Sequence, residues 1–403
     1  MEKNGILRYT MSGDLCITER IEVMDGSESA YEFLDQLSKQ HAGRKPTFDD
    51  LMDYLDAKAR EKGIPLNGQF ELTPLCNFDC KMCYVHLTKE QMKARPLLMV
   101  EQWKEIARQA WEAGMLDVAL TGGECLAYPG FREIYLYLHS LGCGVTVMTN
   151  AALLDEDWMS FFREHPPKKF AVTLYGSNEE VYERVTGHRA FAVVMRNIHL
   201  ILAGNHALQL TVTPSRYLGE DVFDTIRLAR ETSKDVLINS VLFPPQEDTG
   251  RAGQDHDVDA EFYTRIYQFD NALQGIEIHE IASDKLPPFG GPHHECRETG
   301  VSCGGGRSSF IATWQGYIVP CNALNMIRGY PLRDGFQQAW RTINQAVNAW
   351  PRTPECIECP YESVCDYCVA RRLAYAEPGK QPQELCERTR RFVQRGVVSL
   401  PDC

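Results

Sequence analysis

Three closely spaced cysteines are the residues of this sequence with the clearest chemical potential. Cys76, Cys80 and Cys83 form the pattern C-x3-C-x2-C, and Tyr84 follows directly. Three thiolates can bind three irons of a 4Fe–4S cubane, which leaves the fourth iron open to a small molecule that takes an electron from it. Zinc is the alternative, but a tetrahedral zinc site requires four ligands, usually from paired C-x2-C motifs. The spacing therefore favours an iron–sulfur cluster with one open iron.

A glycine-rich turn follows the next apolar segment. Residues 117–120 are predicted to form a short buried strand, and Thr121, Gly122, Gly123 and Glu124 come directly after it. Two glycines at a strand end let a ligand lie against bare backbone, and the glutamate can accept hydrogen bonds from an ammonium group. Taken alone, such a turn is more often a solvated surface feature. Its position one βα unit after the cysteines favours a binding function.

Together the two motifs resemble those of the radical S-adenosylmethionine (SAM) superfamily. The resemblance implies that the amino and carboxylate groups of the methionine moiety chelate the open iron. It also implies that Gly122, Gly123 and Glu124 orient the amino group. The implied reaction is reductive cleavage of SAM to methionine and a 5′-deoxyadenosyl radical, which abstracts hydrogen from a substrate.

Weaker candidates for cofactor contacts follow two later strands. Asn150 ends the third predicted strand, and residues 173–187 resemble the ribose-contacting segment of peptide-modifying family members. The Thr173 hydroxyl can bond to a ribose hydroxyl, although threonine is also a common strand residue. Arg184 and Tyr84 complete the set of candidate cofactor-binding residues.

A second group of cysteines suggests further clusters. Of the 15 cysteines, eight lie between residues 296 and 386. The N-terminus lacks the apolar core of a signal peptide, so dense C-x2-C spacing indicates metal ligands rather than disulfides. Zinc ribbons are the alternative. These eight cysteines are Cys296, Cys303, Cys321, Cys356, Cys359, Cys365, Cys368 and Cys386.

Their arrangement resembles the SPASM extension of radical SAM enzymes that act on peptides, which carries two auxiliary 4Fe–4S clusters. The resemblance assigns one cluster to Cys296, Cys303, Cys321 and Cys368. It assigns the other to Cys356, Cys359, Cys365 and Cys386. In one departure from the family pattern, only Asp366 and Tyr367 stand before Cys368, where three residues are usual.

The four remaining cysteines are not assigned to clusters. Cys143 is expected in the core, Cys16 in an N-terminal strand and Cys403 at a mobile end. Cys125 follows Glu124 directly and must lie near the reaction face. It is a weak candidate for a catalytic hydrogen donor, and a packed free cysteine is the default interpretation.

Composition excludes several classes of protein. The net charge of −13 argues against a nucleic-acid partner, which would require clustered cations. No apolar run approaches the roughly 18 residues of a membrane-spanning helix. Together with clusters whose sulfurs are sensitive to oxygen, these features predict a protein of a reducing cytoplasm.

The elements that must position these residues alternate along the middle of the chain. Strands 69–72, 117–120, 144–148, 169–174, 208–213 and 236–243 are separated by helices 100–113, 131–140, 155–164, 189–203 and 222–232. Such alternation predicts βαβ units and a parallel sheet. The fold class is therefore α/β, and the resemblance implies a partial (β/α)6 TIM-like barrel. Both motifs then lie at the carboxyl ends of strands, where ligands bind in parallel α/β folds.

The chain is predicted to have three domains. Residues 1–65 form a small α+β module, with strands 6–9 and 15–23 and helices 27–39 and 47–62. This module resembles the winged-helix elements that bind leader peptides by strand addition, and a simple cap on the barrel is equally consistent. The barrel covers residues 66–286, and the iron–sulfur SPASM domain covers residues 287–403.

Asn322 separates two possible activities. In sulfatase-maturing enzymes, which make formylglycine, an aspartate base directly follows the cysteine matched by Cys321, and Asn322 occupies that place here. A neutral amide cannot accept a proton at pH 7. The sequence therefore favours a maturase that introduces thioether or carbon–carbon crosslinks into a ribosomal precursor peptide. Its expected partners are a precursor with a leader and an electron donor such as flavodoxin or ferredoxin. A zinc-ribbon binding protein is the non-enzymatic alternative.

Overall fold

A computed structural model describes residues 8–9, 15–16, 48–85, 87–92, 95–243, 259–281, 301, 303–351, 356, 359–361, 364–365 and 383–398. The chain divides into two compact units, residues 1–64 and residues 65–403. In the described residues, no helix is both long enough and apolar enough to cross a membrane.

The first unit contains a short hairpin and one helix among its described residues. Strands β1 (Arg8–Tyr9) and β2 (Leu15–Cys16) pair antiparallel, and helix α1 covers Phe48–Lys62. Both features lie within elements predicted from the sequence, and residues 17–23 of the second predicted strand lie outside the described residues. The helix predicted at residues 27–39 lies outside the described residues, and the assignment of this unit as a leader-binding module stays a prediction.

The second unit is built on a sheet with strand order β10-β9-β3-β4-β5-β6-β7-β8. All neighbouring pairs are parallel except the antiparallel pair β9–β10. The strands are β3 Asn67–Glu71, β4 Asp117–Thr121, β5 Gly144–Thr149, β6 Lys169–Thr173, β7 Leu208–Val212, β8 Asp235–Ile238, β9 Ser309–Ala312 and β10 Ile318–Val319. The α/β fold and the six predicted parallel strands are confirmed.

The described residues of this unit also form helices. They are α2 Lys89–Met92, α3 Val100–Glu112, α4 Phe131–Ser140, α5 Glu156–Glu164, α6 Glu179–Thr186, α7 Phe191–Ala203, α8 Asp221–Thr232, α9 Ala260–Leu273, α10 Pro331–Asp334, α11 Phe336–Asn348 and α12 Gln383–Gln394. In α3, buried residues recur at the helical period, as the inward face of an amphipathic helix requires. Trp103 from this stripe stacks on Phe70 of β3 with ring centroids 5.3 Å apart.

Strand alternation separates the outer face from the inner one. Phe70, Leu120 and Val147 are fully buried against the helices, so their neighbours along each strand face the interior of the barrel. Met148 on that inner face remains 38% exposed. The carboxyl ends of the parallel strands share one edge of the sheet.

The C-terminal region contributes directly to the barrel sheet. Strand β9 pairs in parallel with β3, and its Phe310 packs against Phe70 of β3 and Phe336 of α11, with centroids 6.3 and 5.0 Å apart. Strands β9 and β10 and helix α11 were not predicted from the sequence. Strand β9 has only four residues and follows a glycine-rich segment, so its local pattern is too short to indicate a strand.

Two local predictions differ from the structure. The strand predicted at residues 236–243 ends at Ile238. The Asn239 side chain accepts a hydrogen bond from the amide of Val241 at 3.2 Å, and this Asx turn ends the extended run. Helix α6 was not predicted, although Asn178 caps its start and Gly187 follows its end in the left-handed conformation.

Candidate functional site

The cysteine loop is held at both ends by backbone hydrogen bonds. At one end, the amides of Gly123 and Glu124 donate to the carbonyls of Thr73 and Leu75 at 2.6 and 2.9 Å. Further along the loop, the amides of residues 79 and 81 donate to the last turn of α6 at 2.9 and 3.1 Å. The two motifs found in the sequence are thus joined directly, at the carboxyl edge of the sheet.

The two glycines are required for this close approach. A Cβ on Gly122 would lie 2.3 Å from the carbonyl oxygen of Thr73, and one on Gly123 would lie 2.4 Å from that of Leu75. Gly122 also has φ +146°, which L side chains rarely adopt. The glycine pair in the sequence predicts bare backbone that faces a ligand. In the structure, the positions that side chains would fill are occupied by the chain's own backbone, and contact with SAM by these residues stays a prediction.

Glu124 connects the ends of β4 and β5. Its carboxylate accepts hydrogen bonds from the Thr149 hydroxyl at 2.7 Å, the Asn150 amide at 2.8 Å and the Leu126 amide at 3.1 Å. The side chain is buried, and burial raises the pKa of Glu124, while these donors oppose the rise. Three donors directed at two oxygens match a carboxylate. Its role toward the SAM amino group remains a prediction.

The three loop cysteines lie in a sheltered position. Cys80 is buried, and Cys76 and Cys83 are half-buried. The amide of Phe78 and the Asn150 side chain both donate to Cys76 Sγ, at 3.4 and 3.6 Å. Burial raises the pKa of Cys76 to about 12, so the thiol keeps its proton at pH 7 until a metal displaces it. Donors directed at a cysteine sulfur are typical of iron–sulfur ligands.

Tyr175 lies beside these cysteines and was missed in the sequence. Burial raises its pKa, and Cys80, Cys76 and Cys83 add to the rise when they are ionised. Its ring meets Phe78 of the cysteine loop edge-on, with centroids 6.2 Å apart. Its position in the sequence, two residues after Thr173 at the end of a predicted strand, could have indicated that Tyr175 lies at the site.

The remaining cofactor candidates take different positions. Thr173 ends β6 and is half-buried. Arg184 donates from Nε to the carbonyl of Tyr217 at 2.8 Å and forms an ion pair with Asp221, so its guanidinium ties α6 to the turn before α8. Cys125 is fully buried and its thiol donates to the carbonyl of Met148 at 3.2 Å. Cys143 is buried in the core, as expected.

Tyr84 connects the cysteine loop to the C-terminal region. Its side chain is hydrogen-bonded to that of Asn322, and its ring meets Phe243 edge-on at 5.9 Å. Burial raises the pKa of Tyr84, and the charge of Glu71 adds to the rise. Glu71 is a fully buried carboxylate at the end of β3. Asn322, the residue that favours crosslinking over formylglycine formation in the sequence, therefore contacts Tyr84, which directly follows the first cysteine motif.

The structure brings some of the C-terminal cysteines together in pairs. Gly305 donates its amide to Cys303 Sγ at 3.4 Å, and a Cβ on this glycine would lie 3.7 Å from Cys321 Cβ. Both cysteines therefore lie beside Gly305, and the resemblance had assigned both to one auxiliary cluster. Cys296 and Cys368, the other two cysteines of that set, lie outside the described residues.

The second set shows a similar pairing. Thr389 on α12 donates its hydroxyl to Cys365 Sγ at 3.6 Å, and Cys386 lies one helical turn before Thr389 on the same face. Cys365 and Cys386 thus lie beside the same helix. The amide of Cys359 donates to the carbonyl of Cys356 at 3.4 Å. Over the described ranges, no three Cys, His, Asp or Glu side chains converge as ligands of a single metal ion.

Comparison with known proteins identifies the central part of the chain. Residues 70–251 match the radical SAM superfamily. The chain is 25% identical over 330 residues to the antilisterial bacteriocin subtilosin biosynthesis protein AlbA of Bacillus subtilis, covering 78% of this chain and 69% of that protein. It is also 25% identical over 341 residues to the AdoMet-dependent heme synthase of Methanosarcina barkeri, covering 78% and 93%.

A solved structure shares the fold over most of the chain. Streptococcus suis SuiB bound to its precursor peptide SuiA superimposes with a TM-score of 0.62 at 18% identity, covering 93% of this chain and 85% of SuiB. At this identity the similarity establishes the fold alone.

Proposed function

This chain carries a radical SAM domain over residues 70–251, and from that premise we propose that it is a maturase of a ribosomally made precursor peptide. The domain implies one 4Fe–4S cluster and SAM as its cofactors. The observation that carries the proposal is the direct tie between the cysteine loop and the glycine turn, through the Gly123 and Glu124 amides. It holds the three thiols beside the motif expected to receive the methionine moiety of SAM.

The donor set around the cysteines fits a cluster. Cys76, Cys80 and Cys83 would hold three irons, and Cys76 already receives two hydrogen bonds. When bound, the cluster supplies the electron that cleaves SAM to methionine and a 5′-deoxyadenosyl radical. The chain contributes position and shelter: Cys80 is buried and Cys76 and Cys83 are half-buried, which limits access of water and oxygen.

A peptide substrate is supported by the named relatives. Besides AlbA, they include the sporulation killing factor maturation protein SkfB of Bacillus subtilis and the PqqA peptide cyclase of Rhodopseudomonas palustris. The heme synthase is as similar in sequence as AlbA, so the choice of a peptide substrate rests on a second observation. The arrangement of the eight C-terminal cysteines resembles that of peptide-modifying enzymes.

Asn322 supports crosslinking over formylglycine formation. Its amide is engaged with Tyr84 and has no basic form near neutral pH. A cysteine thiol of a precursor peptide is acidic enough to lose its proton without a carboxylate base at this position. The proposed product carries an oxidative thioether or carbon–carbon crosslink, with loss of two hydrogen atoms.

The C-terminal cysteines are proposed to hold two auxiliary 4Fe–4S clusters. The proximity of Cys303 to Cys321 and of Cys365 to Cys386 supports these groupings. In this proposal the auxiliary clusters accept the second electron of the oxidation or bind a substrate thiolate. A flavodoxin or ferredoxin supplies the first electron.

Anaerobic reconstitution tests the proposal. The reduced protein is incubated with SAM and the short precursor peptide encoded beside its gene, and 5′-deoxyadenosine and peptide mass are followed together. We expect 5′-deoxyadenosine and a peptide lighter by two hydrogen atoms per crosslink. The matched control replaces Cys76, Cys80 and Cys83 by alanine, which should abolish SAM cleavage and remove roughly four irons per chain while the auxiliary clusters remain.

Two results would contradict the proposal. A colourless protein that binds zinc without sulfide would support the zinc-ribbon alternative. Cleavage of SAM that depends on a tetrapyrrole and is unaffected by any peptide would place the chain beside the heme synthase instead.

A further inference from the structure

Asn150, a candidate SAM contact, also donates hydrogen bonds into the cysteine loop. It follows β5 directly, and its side-chain Nδ2 lies 3.6 Å from Cys76 Sγ and 2.8 Å from Asn77 Oδ1. The residue is only 6% exposed. Both hydrogens of the amide nitrogen therefore have acceptors within the cysteine loop.

The orientation of this amide is determined by its other contact. The Asn150 Oδ1 accepts a hydrogen bond from the amide of Ala152 at 3.0 Å. Since a backbone amide can only donate, the oxygen of the side chain must face Ala152, and the nitrogen must face the sulfur. A flipped amide would place an oxygen against both Cys76 Sγ and Asn77 Oδ1 and would leave the Ala152 amide without an acceptor.

The backbone of Asn150 is anchored by the glycine-turn glutamate. Its amide donates to Glu124 Oε2 at 2.8 Å, and the neighbouring Thr149 hydroxyl donates to Glu124 Oε1 at 2.7 Å. The turn is also fastened from α7, where Asn197 Nδ2 donates to the carbonyl of Ala151 at 2.8 Å. Asn150 is thus held in place on both sides while its side chain reaches the first cluster cysteine.

We propose that Asn150 raises the reduction potential of the cluster bound at Cys76 by donating a hydrogen bond to that thiolate. This inference rests on the proposed cluster at Cys76, Cys80 and Cys83. Reduction adds one electron from an external reductant and neither forms nor breaks a covalent bond. The added negative charge strengthens every hydrogen bond donated to a cluster sulfur. Asn150 therefore stabilises the reduced cluster more than the oxidised one.

The expected effect is measurable without substrate turnover. Replacing Asn150 by alanine removes the donor, so the cluster becomes harder to reduce. We expect the reduction equilibrium to shift by on the order of tenfold, which is about 59 mV for a one-electron couple. Asn150→Asp keeps the shape and adds an anion beside the sulfur, so its potential should fall further than that of Asn150→Ala.

The test is a potentiometric titration of the anaerobic, SAM-free holoprotein, followed by EPR. The relevant signal is the one missing from the Cys76, Cys80 and Cys83 triple alanine variant. Asn197→Ala is the matched control, because it loosens the same turn without removing a donor from the sulfur. A lower potential in both Asn150 variants, with Asn197→Ala unchanged, supports the proposal. An unchanged potential in the Asn150 variants, or an equal shift in Asn197→Ala, overturns it.

A second measurement keeps Asn150 in place, so it can be made even if the Asn150 variants fail to assemble the cluster. The protein with Asn77→Asp and Asn322→Asp is labelled with 15N only at asparagine side-chain amides, and the reduced cluster is examined by pulsed EPR. The two substitutions remove the labelled amides of Asn77, which accepts from Asn150, and of Asn322, which contacts Tyr84, and each keeps an Oδ1 acceptor. A 15N coupling to the cluster supports the proposal, and its absence overturns it. If the EPR signal of the cluster is normal but shows no 15N coupling, the proposed function stands and only the role of Asn150 is refuted. If the wild-type protein lacks the EPR signal of this cluster, both the proposed function and the role of Asn150 are contradicted.

Discussion

Replacing Gly123 by alanine is the sharpest test of how the two motifs are joined. The new Cβ would lie 2.4 Å from the Leu75 carbonyl oxygen and 2.8 Å from that of Pro74. An ordinary carbon–oxygen contact is about 3.4 Å, so the backbones must separate by about 1 Å. Because β4 is held between β3 and β5 in the sheet, the loop before Cys76 is the part expected to move.

The cost follows from the contacts that such a movement breaks. The hydrogen bonds from the Gly123 and Glu124 amides, at 2.6 and 2.9 Å, contribute about 0.5–1.5 kcal/mol each. Overpacking adds about 1–3 kcal/mol. We therefore expect a destabilisation of about 2–6 kcal/mol. A displacement of about 1 Å between the cysteines and the glycine turn should also slow SAM cleavage by about a hundredfold.

Two assays and a matched glycine substitution distinguish backbone strain at the substituted residue from movement of the cysteine loop. The urea-unfolding midpoint reports stability, and anaerobic 5′-deoxyadenosine formation with dithionite reports SAM cleavage. Gly142→Ala is the control: its φ is +79°, and nothing lies within 4 Å of the added Cβ. It should cost about 1–2 kcal/mol of backbone strain and leave SAM cleavage unchanged. If Gly123→Ala keeps both its unfolding midpoint and its SAM cleavage rate, close approach does not position the loop.

The remaining predictions concern other parts of the chain. Glu124→Gln turns an amide NH2 toward one of three donors, so it should destabilise the SAM-free protein by about 1–3 kcal/mol and weaken SAM binding more than tenfold by calorimetry. Adding Thr149→Val removes one of those donors and should recover part of the stability. If Glu124→Gln leaves the stability of the SAM-free protein unchanged, the hydrogen-bond network around Glu124 is refuted. Deleting residues 1–64 should abolish peptide modification and spare uncoupled SAM cleavage, whereas equal loss of both would favour a barrel cap. No formylglycine should form on a sulfatase-type Cys-x-Pro-x-Arg peptide, and Asn322→Asp should not greatly raise activity on the true substrate; formylglycine detected by mass spectrometry with the unmodified protein would reverse the choice of activity.

Local pattern was sufficient for the central barrel. The six parallel strands alternate along the chain with segments of helical periodicity, and that alternation determines a parallel sheet through the short connections it allows. The C-x3-C-x2-C spacing likewise carries its chemistry locally, because the three thiols lie within one loop. Position after successive strands was then enough to predict that Cys76 and Glu124 share one edge of the sheet.

The sequence by itself thus determined the type of fold, the cysteine ligands of the first motif and their place at strand ends. Tertiary structure decided which groups meet there. It paired β9 with β3, directed both Glu124 oxygens toward β5 and the glycine turn, and brought Asn322 onto Tyr84. It also gave Asn150 a sulfur as a partner. These contacts join residues up to hundreds of positions apart, and local periodicity carries no information about such pairs because each depends on where separate loops come to rest on the folded sheet.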